Sequence, residues 1–197
     1  MKKQLVLAST SAFRAELLRR LAIPFSTVSP RCDEAEITGE KPQDMAKRLA
    51  ILKAESVVDE FPNAIIIGSD QVAVLDNKIL RKPGTVERAC EQLARMRCVH
   101  HQLFTAMHVI DTEKDISRTV INQANLWLRK DVSDQQIEHY VLTEKPLNCA
   151  GSYKLEGAGI ALFDKIECND WTAIIGLPLL ELGKILHEMD YQIFGKQ

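Results

Sequence analysis

The sequence predicts an α/β fold built on a mixed sheet, and three observations carry that expectation. Apolar runs of strand length, Leu5-Val6-Leu7-Ala8 and Ala64-Ile65-Ile66-Ile67, alternate along the chain with segments of helical period. Asp76-Asn77-Lys78, between Val74-Leu75 and Ile79-Leu80, reads as a hairpin turn and so adds an antiparallel pair. The chain of 197 residues is 46% hydrophobic and 26% charged, enough to bury a sizeable core within one domain over 1–197.

The elements follow in order. A strand over 4–8 opens through Ser9-Thr10-Ser11 into a helix over 12–21, and a strand over 25–29 precedes Asp33-Glu34. A helix over 42–58 sets Met45, Ala46, Leu49, Ala50, Leu52 and Val57 on one apolar arc. A strand over 64–75 carries Gly68-Ser69-Asp70-Gln71, and a helix over 86–97 leads to strands over 103–110 and 119–128. Ser133 with Gln136 forms a capping box that opens a helix over 134–143. A strand over 158–164, with Ile160, Leu162 and Phe163, and a helix over 178–188 complete the series.

A net charge of −2 excludes polyanion binding through bulk charge, so no nucleic-acid polymer is expected as a partner. The apolar run after Met1-Lys2-Lys3-Gln4 is too short for a signal-peptide core or a membrane span, and a cytoplasmic location is expected. Five cysteines, at 32, 90, 98, 149 and 168, form no C-x-x-C pair and read as reduced thiols with packing roles. His100, His101, His108 and His139 form no transition-metal cluster and read as loop or packing residues.

Candidate chemistry gathers at element ends. Asp70 follows an apolar run bounded by Gly68 and reads either as a working acid or base at a strand end or as a turn cap. Ser9 and Ser11 precede a helix whose first turn holds Arg14. A cation there opposes the helix dipole by ~0.3–1 kcal/mol if exposed, and a bound anion would reverse that sign. A capped helix with a solvated arginine is the other reading.

Lys53 falls inside the apolar arc of its helix, where it either snorkels to solvent or meets an anion. Arg81-Lys82-Pro83 and Asp33-Glu34 add cations for a polyphosphate and carboxylates for a divalent cation. The stretch from Cys149 to Gly159 is small and glycine-rich but matches neither the P-loop nor the dinucleotide fingerprint. It reads as a plain turn or as backbone that a ligand approaches closely.

Ser9-Thr10-Ser11-Ala12-Phe13-Arg14, Asp33-Glu34, Leu49-Ala50-x-x-Lys53-Ala54, Gly68-Ser69-Asp70-Gln71, Lys82-Pro83, Ala150-Gly151-Ser152-Tyr153-x-x-Glu156-Gly157 and Gly176-Leu177-Pro178 together resemble the Maf family of nucleoside triphosphate pyrophosphatases. They do so in that family's order and over almost the whole chain. Phe13, Gln71 and Glu156 resemble the branch acting on 7-methyl-GTP; the branch acting on dTTP and UTP more typically carries Arg, Thr and Gln there. The resemblance implies an elongated, twisted mixed sheet with flanking helices and a deep nucleotide cleft between two lobes, as in Maf and ITPase-like folds.

It also implies a cytoplasmic, often dimeric enzyme that uses Mg2+ or Mn2+ to release pyrophosphate. Asp70 is then the proton acceptor; Ser9, Ser11, Arg14, Lys53 and Lys82 hold the triphosphate; and Glu34 with Asp70 binds the metal. Phe13 offers a face to a cationic methylated base, Gln71 belongs to the substrate site, and Glu156 accepts from guanine N–H donors. Arg81 stands where the family commonly has glycine. Two other readings stay open: a pyrophosphatase for other modified or pyrimidine nucleotides such as dTTP and UTP, and a nucleotide-binding regulatory module without turnover.

Overall fold

The computed structural model describes residues 3–97 and 99–194. Its strands are β1 (Gln4–Ala8), β2 (Ser26–Val28), β3 (Ala64–Leu75), β4 (Lys78–Leu80), β5 (His100–Asp111), β6 (Ile116–Leu128) and β7 (Phe163–Glu167). Its helices are α1 (Ala12–Arg19), α2 (Pro42–Glu55), α3 (Val86–Met96), α4 (Asp134–Glu144), α5 (Thr172–Ile175) and α6 (Leu179–Glu188). The sheet is seven-stranded in the order β2-β1-β3-β5-β6-β7, with β4 paired to β3. β1 runs parallel to β2 and β3, whereas β3–β4 and β6–β7 are antiparallel, so the sheet is mixed as the hairpin signal requires.

The chain divides into two compact units. The first comprises residues 1–71, 105–122 and 170–197. Alternation along its strands buries both faces: Leu5, Leu7, Ile65 and Ile67 join Leu17, Leu18, Leu182 and Leu186 in one core. Val6, Ala8, Ala64 and Ile66 meet Ala54 and Val57 in another. Runs buried on both faces read as continuous apolar sequence, which is why these strands were legible.

The second unit comprises 72–104 and 123–169. There α3 packs on α4 through buried Ala89, Leu93, Met96, Ile137 and Val141. Asp76 and Asn77 both take left-handed φ, 49° and 59°, in the turn between β3 and β4. Such a turn suits hairpin twist, and Asn and Asp tolerate that conformation better than other side chains. The Ser133–Gln136 capping box is present at the start of α4. Among Cys32, Cys90, Cys149 and Cys168 there is no disulfide, and Cys98 lies outside the described residues. No helix among the described residues is long and apolar enough to cross a membrane.

Two expectations are corrected. The strand expected over 158–164 is a 3-10 helix over Ala158–Leu162, and β7 begins only at Phe163. Ile160 consequently points to solvent, 56% exposed, although its apolar neighbours suggested a buried strand. Asp70 likewise stands at no strand end: β3 runs unbroken through Gly68 and Asp70 to Leu75. The missing side chain of Gly68 admits α2, since a Cβ there would stand 2.3 Å from Ala50 O and 2.7 Å from Ala54 N.

Candidate active site

In the first unit, β1 stops at Ala8, paired with Gly68, while β3 continues through Ser69 and Asp70. The Ser9–Ser11 turn therefore emerges at the level of Ser69 and Asp70. Ser11 caps α1 by accepting from Arg14 N at 3.4 Å. Buried Ser9 accepts through Oγ from Ser11 N at 3.2 Å and from Arg14 Nη1 at 3.4 Å. Both hydroxyls thus order the helix start around its free N–H groups.

Arg14 is half-buried, and its guanidinium reaches away from its own helix. Its Nε donates to Gly176 O at 2.9 Å, across 162 residues of sequence. Gly176 has φ 121°, and a Cβ there would stand 3.3 Å from Arg14 Nε. Burial pulls the guanidinium pKa below its ordinary value, while Asp70 and Glu34 pull it back up. Arg14 therefore feels both carboxylates.

Lys53 is buried, and its ammonium lies 2.5 Å from Asp70 Oδ1 and 2.9 Å from Glu34 Oε2. The apolar arc of α2 carries it there because Ala50 and Ala54 lie against Gly68, two residues before Asp70 on the same strand. Snorkelling is thereby replaced by an ion pair at the edge of the core. Asp70 is buried, whereas the Glu34 side chain is 52% exposed, so one carboxylate is fixed and the other reaches in from an irregular segment.

Gln71 is turned inward at its amide nitrogen, which donates to Thr105 Oγ1, Ala173 O and Ile174 O, each at 2.9 Å. Phe13 lies on α1 with 36% exposure. Sequence reasoning missed Ser69, whose hydroxyl donates toward Ala106 O at 2.8 Å and Gly176 O at 2.9 Å. It also missed Cys32, whose thiol pKa is pushed up by burial and then by Glu34, against a lowering from Lys53. Ser69 lies inside a quoted motif, but its partners come from distant segments, whereas Cys32 feels Glu34 from two positions along the chain and Lys53 from α2.

The second unit holds Lys82 and Glu156, both exposed. Burial pushes the Cys149 thiol up, with Glu156 adding to the rise and Lys154 and Lys82 opposing it. Gln92 on α3 ties two motif segments together: its Nε2 donates to Arg81 O at 2.8 Å and its Oε1 accepts from Ser152 Oγ at 2.7 Å. Ser152 takes φ 64° directly after Gly151 at 81°, so the glycine-rich stretch is a tight turn held by a side chain of α3.

A hard divalent cation takes one or two carboxylates and completes its shell with phosphate oxygens and water. Glu34 and Asp70 converge on a single ammonium, and that donor chemistry fits such an ion. Among the described residues no group of three or more His, Cys, Asp or Glu side chains could hold a metal unaided.

A sequence profile described as Maf-like protein matches residues 4–189. The chain belongs to the Maf family. A 7-methyl-GTP pyrophosphatase of Albidiferax ferrireducens is 42% identical over 98% of this chain and 97% of its own length. Proteins of the same name from Xanthomonas campestris and Bdellovibrio bacteriovorus are 45% and 47% identical, over 98% and 94% of this chain and 100% and 96% of theirs. The solved Staphylococcus aureus Ham1 protein aligns at 15% identity over 65% of this chain and 73% of that one, with a TM-score of 0.45, too loose a likeness to carry an argument. Within this Maf family chain, the Ser9–Arg14 and Gly68–Gln71 motifs and the Glu34 and Lys53 side chains all fall in the first unit, whereas Lys82 and Glu156 fall in the second.

Proposed function

We propose that this chain hydrolyses 7-methyl-GTP between the α and β phosphates, giving 7-methyl-GMP and pyrophosphate. The carrying observation is the buried Asp70 carboxylate, held by Lys53 within a cluster that also contains Glu34 and Arg14. The activity for which near full-length relatives are named supports the choice of substrate.

On this reading Asp70 accepts the proton of the water that attacks the α-phosphorus, and pyrophosphate leaves. Arg14, Lys53 and Lys82, with the helix start ordered by Ser9 and Ser11, hold phosphate oxygens and offset the charge that develops on them. Glu34 and Asp70 are the residues that would hold Mg2+ or Mn2+, which supplies further neutralisation of phosphate charge. Gln71 keeps Asp70 in register by anchoring the next residue of β3 to the Ala173 and Ile174 carbonyls.

Phe13 gives a cationic methylated base an aromatic face, an attraction of ~0.5–2 kcal/mol, and Glu156 accepts from its N–H donors. The same reading makes the protein a cytoplasmic, homodimeric enzyme that clears methylated nucleotides. The test is pyrophosphate release with magnesium from 7-methyl-GTP, GTP, dTTP and UTP side by side. Preferential turnover of the methylated nucleotide is expected; preference for a pyrimidine nucleotide overturns the substrate, and binding without turnover of any overturns the reaction.

A further inference from the structure

Glu156 lies midway along a short loop whose two flanks are held by one helix terminus. Before it, Lys154 N donates to Tyr140 Oη at 2.9 Å, and the Lys154 ammonium donates to the Glu144 backbone carbonyl. After it, Ala158 N donates to Glu144 Oε1 at 3.4 Å. Gly157 N closes the loop on Lys154 O at 3.3 Å. Two glycines permit the approach: a Cβ at Gly157 would stand 3.2 Å from Glu144 Oε2, and one at Gly159 would stand 2.7 Å from Tyr140 Oη.

Tyr140 and Glu144 are four residues apart on α4 and so share one face of the last turn, which ends at Lys145 in a left-handed conformation, φ 48°. Tyr140 is buried, and burial pushes its hydroxyl up to about 12, so it remains a neutral hydroxyl at working pH. Glu156 itself is exposed. An exposed carboxylate discriminates between bases only when its backbone is fixed, because a binding group must be held within roughly 0.5 Å of the productive geometry. Contacts at 154 and 158 fix that backbone on both sides.

We infer that Tyr140 and Glu144 are positioning residues for base recognition, setting the Glu156 carboxylate toward the adjacent N–H donors of a guanine-type base. The inference rests on the base-reading role proposed above for Glu156. It predicts an effect on nucleoside recognition and none on phosphate binding.

The test measures kcat and KM for 7-methyl-GTP, and inhibition by inorganic triphosphate, in Tyr140→Phe, Glu144→Ala, Glu156→Gln and the Tyr140→Phe/Glu156→Gln double variant. Tyr140→Phe and Glu144→Ala, which delete the acceptors for Lys154 N and Ala158 N, are each expected to raise KM about fivefold or more, with kcat and the triphosphate inhibition constant within about twofold. Glu156→Gln should raise KM further, and the double variant should match Glu156→Gln alone, because the hydroxyl acts only through that carboxylate. Parallel weakening of triphosphate inhibition, or a double variant whose KM is the full product of the singles, overturns the inference. An unchanged KM in Glu156→Gln overturns the base-reading role itself, an outcome distinct from failure of Tyr140→Phe alone. Should Glu144→Ala unfold, as read by melting temperature, Tyr140→Phe carries the test, since it removes a single oxygen.

Discussion

Lys53 Nζ stands 2.5 Å from Asp70 Oδ1, with the two side chains only 8% and 11% exposed. A buried ion pair is weak support for stability, since desolvation offsets the attraction, yet removing one partner strands the other. The pair is therefore better understood as a charge arrangement kept for use. A nucleotide phosphate competing for Lys53 would release Asp70 to act on water.

Asp70→Asn keeps the size of the side chain and removes the proposed proton acceptor. We expect turnover of 7-methyl-GTP to fall by about 10²–10⁴-fold with nucleotide binding retained. Steady-state pyrophosphate release and calorimetric titration with the nucleotide measure the two quantities separately. Turnover within tenfold of the parent would take the proton-acceptor role from Asp70.

Gly68→Ala tests how the pair is built. The added Cβ would fall 2.3 Å from Ala50 O, which is backbone and cannot swing aside. Overpacking of this kind costs about 1–3 kcal/mol, read from denaturant unfolding. Activity should fall with it, because α2 must shift and carry Lys53 away from Asp70. Unchanged stability and activity would show that α2 can yield without cost.

Metal removal bears on Glu34. Chelation should abolish pyrophosphate release, and added Mg2+ or Mn2+ should restore it. Glu34→Gln should raise the magnesium concentration needed for half-maximal activity about tenfold, an effect of ~1.4 kcal/mol. A variant with the parent magnesium dependence would leave Glu34 as a partner of Lys53 alone.

His101 supplies a pH signature in the second unit. It is buried against Tyr153 and Phe163, its Nε2 meets Tyr153 Oη at 2.9 Å, and its Nδ1 has no hydrogen-bond partner among the described residues. Burial, with His100 adding to it, lowers its pKa from 6.5 to about 4. The unfolded chain therefore takes up the proton first as the solution is acidified. The contribution to stability is intact above about pH 6.5 and declines as pH falls toward 4. Between pH 7 and 5 the parent should lose about 2 kcal/mol that His101→Phe does not lose, measured by chemical denaturation at both pH values.

Much of this was legible because local rules governed it. β3 was expected over 64–75 and is found there, since Ile65, Ile66 and Ile67 are buried on alternate faces. The hairpin at Asp76-Asn77 and the cap at Ser133 were readable because turn and cap chemistry needs only neighbouring residues. Lys53 stood out as a charge on an apolar arc, and its partners proved to be Asp70 and Glu34. Asp70 was read at a strand end because its apolar run stops at Gly68, and only the packing of α2 shows that glycine to mark a close approach. The strand expected over 158–164 failed for a related reason: Gly159 is pressed against Lys154 O and Tyr140, contacts absent from any local pattern.

The oxygen that Arg14 and Ser69 share belongs to the main chain of Gly176. A codon change there keeps an oxygen but not its place, because a side chain at φ 121° is strained and would stand 3.3 Å from Arg14 Nε, while the neighbouring Ala173 and Ile174 are themselves held in the core. A randomised library at Gly176, selected for activity, should return glycine almost alone. The same library over Arg14 or Ser69 should return few sequences, because each reaches that oxygen through one side chain.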